Sequence, residues 1–159
     1  MDGYAPAAEK PPLASYAILT ALLHGLIGGS LLAARRRGRE LPAPSAGDVA
    51  LVGVASHKLS RLVAKDKVTS WLRAPFTELE GKGGPAELEE AARGRGARKA
   101  IGELLICPYC LGLWVVAGFS LGLVFAPRLT RFLAGLFSAL TVSDFLQVAY
   151  KAAEEKGLG

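Results

Sequence analysis

The sequence predicts an all-α fold, an integral membrane helical bundle of three firm transmembrane helices and a fourth that is amphipathic or weakly spanning. Three observations predict it. Of 159 residues, 51% are apolar and only 21% are charged. The mean hydropathy is +0.31. The apolar residues gather in three runs, residues 13–34, 104–126 and 132–149. At about 1.5 Å per helical residue, runs of this length match the ~30 Å hydrocarbon core of a bilayer. A chain disordered throughout would be polar or highly charged, so that class is excluded. Two cysteines cannot staple a disulfide-scaffolded mini-protein, nor can one chain supply a four-cysteine zinc site.

The elements follow in order. The first twelve residues are rich in Ala and Pro and read as a loose tail. Leu13 to Ala34 carries no formal charge and is followed at once by Arg35, Arg36, Arg37 and Arg39. A cleaved signal peptide would carry its positive charge before the apolar run, so this is an uncleaved anchor with a stop-transfer flank. A Pro/Ser/Gly connector then leads to Asp48, expected to N-cap a helix from Val49 to about Lys65. Val52, Leu59, Leu62 and Val63 recur at helical spacing, while His57, Arg61 and Lys65 stack at i, i+4, i+8. Such a helix can lie at the interface, or pack among other helices with its long bases snorkelling.

Residues 66–100 are polar. Gly81-Lys82-Gly83-Gly84-Pro85 breaks the chain, and Pro85 is expected at the first turn of a short acidic helix through Glu87, Glu89 and Glu90. Arg93 to Lys99 reads as a solvated basic linker against lipid headgroups. It is too short, and too poor in aromatics, to read as an RNA-binding arginine-glycine tract, so no nucleic-acid partner is expected. The runs 104–126 and 132–149 are separated by Pro127 and Arg128–Arg131, and residues 151–159 form a polar tail.

Lys and Arg concentrate on the cytoplasmic side of membrane proteins. If all four segments cross with the N-terminus inside, the inside holds Lys10, Lys65, Lys67, Arg73, Lys82, Arg93, Arg95, Arg98, Lys99, Lys151 and Lys156. The outside then holds Arg35, Arg36, Arg37, Arg39, Arg128 and Arg131. If segment 49–65 lies on the surface and the N-terminus is outside, only Lys10, Arg128 and Arg131 remain outside, a better fit to the rule. Both arrangements put the loop 66–100 and the start of the 104–126 helix in the cytoplasm.

Cys107-Pro108-Tyr109-Cys110 is the chemically sharp feature. Pro108 suits a first helical turn, which places Cys107 at the N-cap and Cys110 at the third position. The positive end of the helix dipole favours a thiolate there. Four roles compete: a reduced structural pair, a redox pair, a constitutive disulfide, and a metal site. The disulfide is disfavoured by the reducing compartment. The metal site needs ligands from His57 or from a second copy of the chain, with zinc shared between copies.

Asp144, with Gln147 at i+3, is an ionisable residue within an apolar run. It is expected to pair with Arg61 or Lys58 and hold the bundle together. Ser138, Thr141 and Ser143 fit interhelical hydrogen bonds, and His24 reads as an interhelical donor. Gly25-x-x-x-Gly29 and Gly118-x-x-x-Gly122 permit close helix approach, within the bundle or between copies.

From Asp48 onward, several blocks occur in order. They are Leu59-Ser60-Arg61-Leu62-Val63, Asp66-Lys67-Val68-Thr69, Leu72-Arg73-Ala74-Pro75-Phe76, and Ile101-Gly102-Glu103 running through Cys107-Pro108-Tyr109-Cys110 to Leu111-Gly112-Leu113-Trp114. Over residues 48–149 this pattern resembles a family of small bacterial membrane proteins, the domain of unknown function thirteen-sixty, some of whose members are labelled sporulation proteins. The resemblance implies a helical fold, a membrane location and a cysteine motif without an assigned role. It also implies that the first span is an addition to the family segment. His57-Lys58 stands where members more often carry an aromatic or aliphatic residue followed by Arg. The resulting organisation is an appended anchor and connector (1–47), a membrane domain (48–150) with its cytoplasmic loop, and a tail (151–159).

No P-loop, no His-Glu-x-x-His and no nucleophile with a recognisable base is present, so a non-enzymatic structural or partner-binding subunit of the bacterial cytoplasmic membrane is expected, with no cofactor. Arg61, Asp66, Arg73 and Asp144 are read as structural polar positions. The alternatives are a membrane thiol or metal protein using Cys107 and Cys110, and a small transporter or channel subunit using Asp144 and Arg61.

Overall fold

A computed structural model describes Tyr4 and residues 10–157. Most of the tail expected over residues 1–12, and the last two residues of the tail expected over 151–159, lie outside the described residues. Helix α1 spans Leu13–Arg36, α2 Ala46–Lys65, α3 Ser70–Arg73, α4 Gly96–Ile106, α5 Pro108–Phe125 and α6 Pro127–Gly157. Strands β1 (Thr77–Lys82) and β2 (Leu88–Ala92) form an antiparallel hairpin with an irregularity between Leu79 and Gly81. The fold is mostly helical, but the hairpin corrects the all-α expectation.

The acidic helix expected after Pro85 is strand β2 instead. Gly83, Gly84 and Pro85 reverse the chain, and Ala86 takes a left-handed φ of 64°, a conformation costly for a residue with a Cβ. The reversal holds because Glu87 and Glu89 meet bases on α2. The run 104–126 is likewise not one helix. Cys107, extended at φ −103° and ψ 103°, separates α4 from α5, since the residue before a proline is sterically pushed out of the α region.

Helix α2 begins three residues before its expected start. Ser45 is the N-cap, its Oγ accepting the Asp48 N–H at 3.0 Å, and Asp48 occupies the third helical position rather than the cap. The tail from Lys151 is not separate, because α6 continues to Gly157.

Helices α1 and α5 run one way, α2 and α6 the other. At one end the Tyr16 hydroxyl of α1 donates to Glu103 of α4. At the opposite end Arg39 donates to the carbonyls of Val124 and Phe125, which close α5, at 3.1 and 3.2 Å. The N-terminal end of α1 therefore shares the hairpin's end of the bundle. Helix α2 is not a peripheral surface helix: it packs against α5 and α6, burying Val52, Ala55, Ser56, Ser60 and Ala64.

Small residues on α2 let the neighbouring helices approach. Val52, Ala55, Phe119 and Ala134 form the core, with Leu59, Val115 and Phe137 packed against it. Phe119 meets Phe137 edge to face, centroids 6.4 Å apart. Gly122 faces Thr130 so closely that a Cβ there would stand 2.5 Å from the hydroxyl, and this fixes the tight α5–α6 hairpin. Gly25, Gly29 and Gly118 face open space within the chain. Ser138 donates across to the Leu51 carbonyl at 3.2 Å. Thr141 bonds within its own helix and Ser143 is exposed. His24 is paired to the Thr20 carbonyl of its own helix, not across an interface.

Helices α1, α5 and α6 are each long and apolar enough to cross a membrane. Their apolar side chains point away from the protein: Ile18, Leu22, Leu26, Leu113, Phe132 and Phe145 are all more than half exposed.

Candidate functional site

The polar segment between α2 and α5 folds into a compact head at one end of the bundle. Its centre is Arg73, the largest fully buried side chain, with no exposed surface. A buried guanidinium is tolerated only when charge-paired and hydrogen-bonded throughout. Arg73 meets that condition. Its Nε donates to the Glu90 carboxylate, Nη1 to the Val63 carbonyl at 2.6 Å and to Thr69 Oγ1 at 3.0 Å, and Nη2 to the Asp66 carbonyl at 3.1 Å. Thr77 Oγ1 lies 3.1 Å from the other Glu90 oxygen. The Arg73 side chain thus joins α3 to the end of α2, the following turn and β2, and Glu90 carries the link on to Thr77 of β1.

Asp66 caps this turn. Its Oδ1 accepts the Val68 N–H at 3.0 Å and begins a short 3-10 segment, Lys67–Thr69. Arg61 pairs with Glu87, and Lys65 with Glu89 at 2.8 Å. The spacings match physically. Two bases four apart on a helix stand about 6 Å apart along its axis, and two carboxylates two apart on a strand about 6.7 Å apart. Two ion pairs, one just before β2 and one on it, thus tie the hairpin to α2, while β2 itself packs against α4.

The basic stretch 93–99 is solvent-exposed over residues 93–98, as expected, but it is anchored and leads into α4 rather than being a free linker. The Arg93 amide and side chain bond Phe76 and Ala74 carbonyls at 2.9 Å, and Arg98 donates twice to the Pro75 carbonyl at 2.9 and 2.7 Å. Gly102 of α4 packs against this strand end, where a Cβ would stand 2.5 Å from the Phe76 carbonyl.

The cysteines sit at the elbow between α4 and α5. Cys107 is the N-cap, its Sγ accepting the Cys110 N–H at 3.2 Å, and both thiols are free. Cys110 and Tyr109 are exposed, Tyr109 at 93%. His57 is exposed on α2. It does not complete a metal site with the cysteines, for no group of three or more His, Cys, Asp or Glu among the described residues is placed to hold one.

Asp144 of α6 pairs with Lys58 of α2, Nζ to Oδ2 2.5 Å, about one helical turn before Arg61. Arg61 and Asp144 are therefore not partners. Arg61, Asp66 and Arg73 stand out in the sequence as polar positions, but their partners do not. The signal was available in the two-residue alternation of Glu87 and Glu89 facing the four-residue spacing of Arg61 and Lys65.

The entire head and the cysteine elbow fall within a segment, residues 51–150, that matches the family described as "Protein of unknown function (DUF1360)". The chain belongs to this family. The DUF1360 segment begins inside α2, so α1 and the arginine-rich connector precede it. Two curated proteins of Bacillus subtilis (strain 168) are similar. Sporulation protein YjcA is 38% identical over 74 residues, covering 45% of this chain and 62% of that protein. UPF0713 protein YngL is 28% identical over 79 residues, covering 48% of this chain and 57% of its own. The chain spans about six-tenths of the length of these relatives. No solved structure matches.

Proposed function

We propose that this DUF1360 member is a multi-pass protein of the bacterial cytoplasmic membrane whose head, on the cytoplasmic side, is a docking platform for a protein partner. The bilayer reading rests on three apolar helices with exposed apolar flanks, which in water would be large unsatisfied patches. Since α1 begins at the head end, the charge count for four crossings with the N-terminus inside supports a cytoplasmic head.

The observation that carries the docking reading is the asymmetry of the hairpin. The β2 side is held by α4 and by the ion pairs of Glu87 and Glu89 with α2. The outer edge of β1 pairs with no other strand among the described residues, and Leu79 beside it is 66% exposed. A rigid unpaired edge is a template for a partner's backbone. The test is a photo-crosslinking residue at Leu79 in living cells, with one at Leu26 on the membrane-facing side of α1 as control. A discrete protein adduct from position 79 alone is expected. Lone monomers in mild detergent, with no adduct from position 79, would contradict the reading.

Thiol chemistry is a second reading. It is favoured by the exposed Cys110 one turn from Cys107 at the head end of α5. It predicts maleimide reactivity in opened cells that falls on oxidant treatment. Unresponsive labelling would leave the pair a structural role.

A further inference from the structure

A half-open apolar cavity of about 410 Å³ lies at the end of the bundle opposite the head, between α1, the connector and α5. Its wall includes Ile27 and Leu31 of α1, Leu41 of the connector, and Leu113, Val116 and Val124 of α5. Packed protein interiors leave few voids of this size, and a cleft of this volume with a few converging polar groups is the usual form of a small-molecule site. The polar groups here are Ser120 and the ion pair of Asp48 with Arg131.

The charge around the mouth is strongly positive. Arg131 binds Asp48 through two nitrogens, at 2.8 and 3.1 Å, so that carboxylate is already compensated. Arg39 lies against the Val124 and Phe125 carbonyls that end α5, 5.8 Å from the centre of the Phe125 ring. Arg35, Arg36, Arg37 and Arg128 are exposed nearby in sequence, against a single further carboxylate, Glu40. An apolar slot opening toward lipid, beneath a cluster of guanidinium groups at headgroup level, complements one class of molecule: an acyl chain carrying an anionic phosphate head.

We propose that α1, the connector and α5 form a binding groove for one anionic phospholipid, its acyl chain along Ile27, Leu31 and Val116 and its phosphate beside Arg39. The proposal rests on the bilayer reading above and is independent of the partner-docking reading. The groove joins the two parts of the chain: α1 and the connector precede the family segment, while the α5 wall and Arg131 belong to it.

The full chain is purified in mild detergent and given phosphatidylglycerol or phosphatidylcholine of identical acyl composition, and retained lipid is counted by native mass spectrometry. One phosphatidylglycerol per chain is expected, preferred over phosphatidylcholine by about fivefold or more, the contribution of roughly one arginine near a lipid surface. Ser120→Trp, which fills the slot from an exposed position, abolishes that adduct. Arg39→Gln, at the exposed position beside which the phosphate is placed, weakens it while leaving the helices intact by circular dichroism. Equal retention of both lipids overturns the proposal, as does an adduct indifferent to Ser120→Trp in a chain of unchanged helicity. A dimer that covers the groove with a second copy also overturns it. Alkaline extraction of membranes tests insertion separately: a chain that stays with the membrane but retains no anionic lipid defeats the groove alone.

Discussion

Arg73 and Glu90 form an ion pair from which water is excluded on both sides, the guanidinium wholly buried and the carboxylate side chain 6% exposed. Removing one partner leaves the other charge buried and unpaired, a loss of about 3–5 kcal/mol. Arg73→Ala is therefore expected to release the head while the apolar helices persist, seen as rapid tryptic cleavage at Lys82 and Arg93 in nanodiscs. Arg73→Lys fails similarly, because an ammonium cannot serve Glu90, Val63 and Asp66 with a fixed fork. The double change Arg73→Met, Glu90→Leu recovers part of the protection, since no buried charge then remains. A head as resistant to trypsin in Arg73→Ala as in the parent would refute this role.

The Arg61–Glu87 pair is more exposed, and its worth is accordingly about 0.2–1 kcal/mol. Its value lies in register. Arg61→Glu sets two carboxylates against each other and should loosen β2. Combining it with Glu87→Arg restores the pairing. Hydrogen exchange of the β2 amides reads both steps, with fast exchange in the single variant and near-parental exchange in the double.

Two glycines on helices separate packing from propensity. Gly102→Ala drives a Cβ into the Phe76 carbonyl and toward Ala92, an overpacking cost of about 1–3 kcal/mol. Gly25→Ala meets nothing within 4 Å and gains helix propensity, up to about 1 kcal/mol on the scale measured in water. Thermal unfolding in one detergent should move in opposite directions for the two variants.

The sequence made the three long apolar helices legible because their apolar runs are continuous whatever packs against them. α1 ends within two residues of the expected Ala34, and Cys107 caps α5 with Cys110 three residues on. The hairpin was hidden for a physical reason. β2 is acidic and short, with none of the β-branched or aromatic residues that mark strands. What makes it a strand is external to it: Arg61 and Lys65 on α2, and the buried Arg73 that needed a carboxylate. The same need makes Arg93 and Arg98 structural, their guanidinium groups capping carbonyls at residues 74 and 75, where composition alone suggested a linker. The break at Cys107 was masked because hydropathy runs through it unchanged, while Pro108 forced Cys107 out of the helix.

The central claim is that head and N-terminus share the cytoplasmic side while the arginine-rich connector lies across the membrane. It is tested by labelling single cysteines with a membrane-impermeant maleimide, in a Cys107→Ser, Cys110→Ser background, in intact and in permeabilised cells. Lys10→Cys and Lys82→Cys should label only after permeabilisation, and Glu40→Cys in intact cells. Labelling of Lys10→Cys in intact cells while Lys82→Cys stays protected would contradict the account.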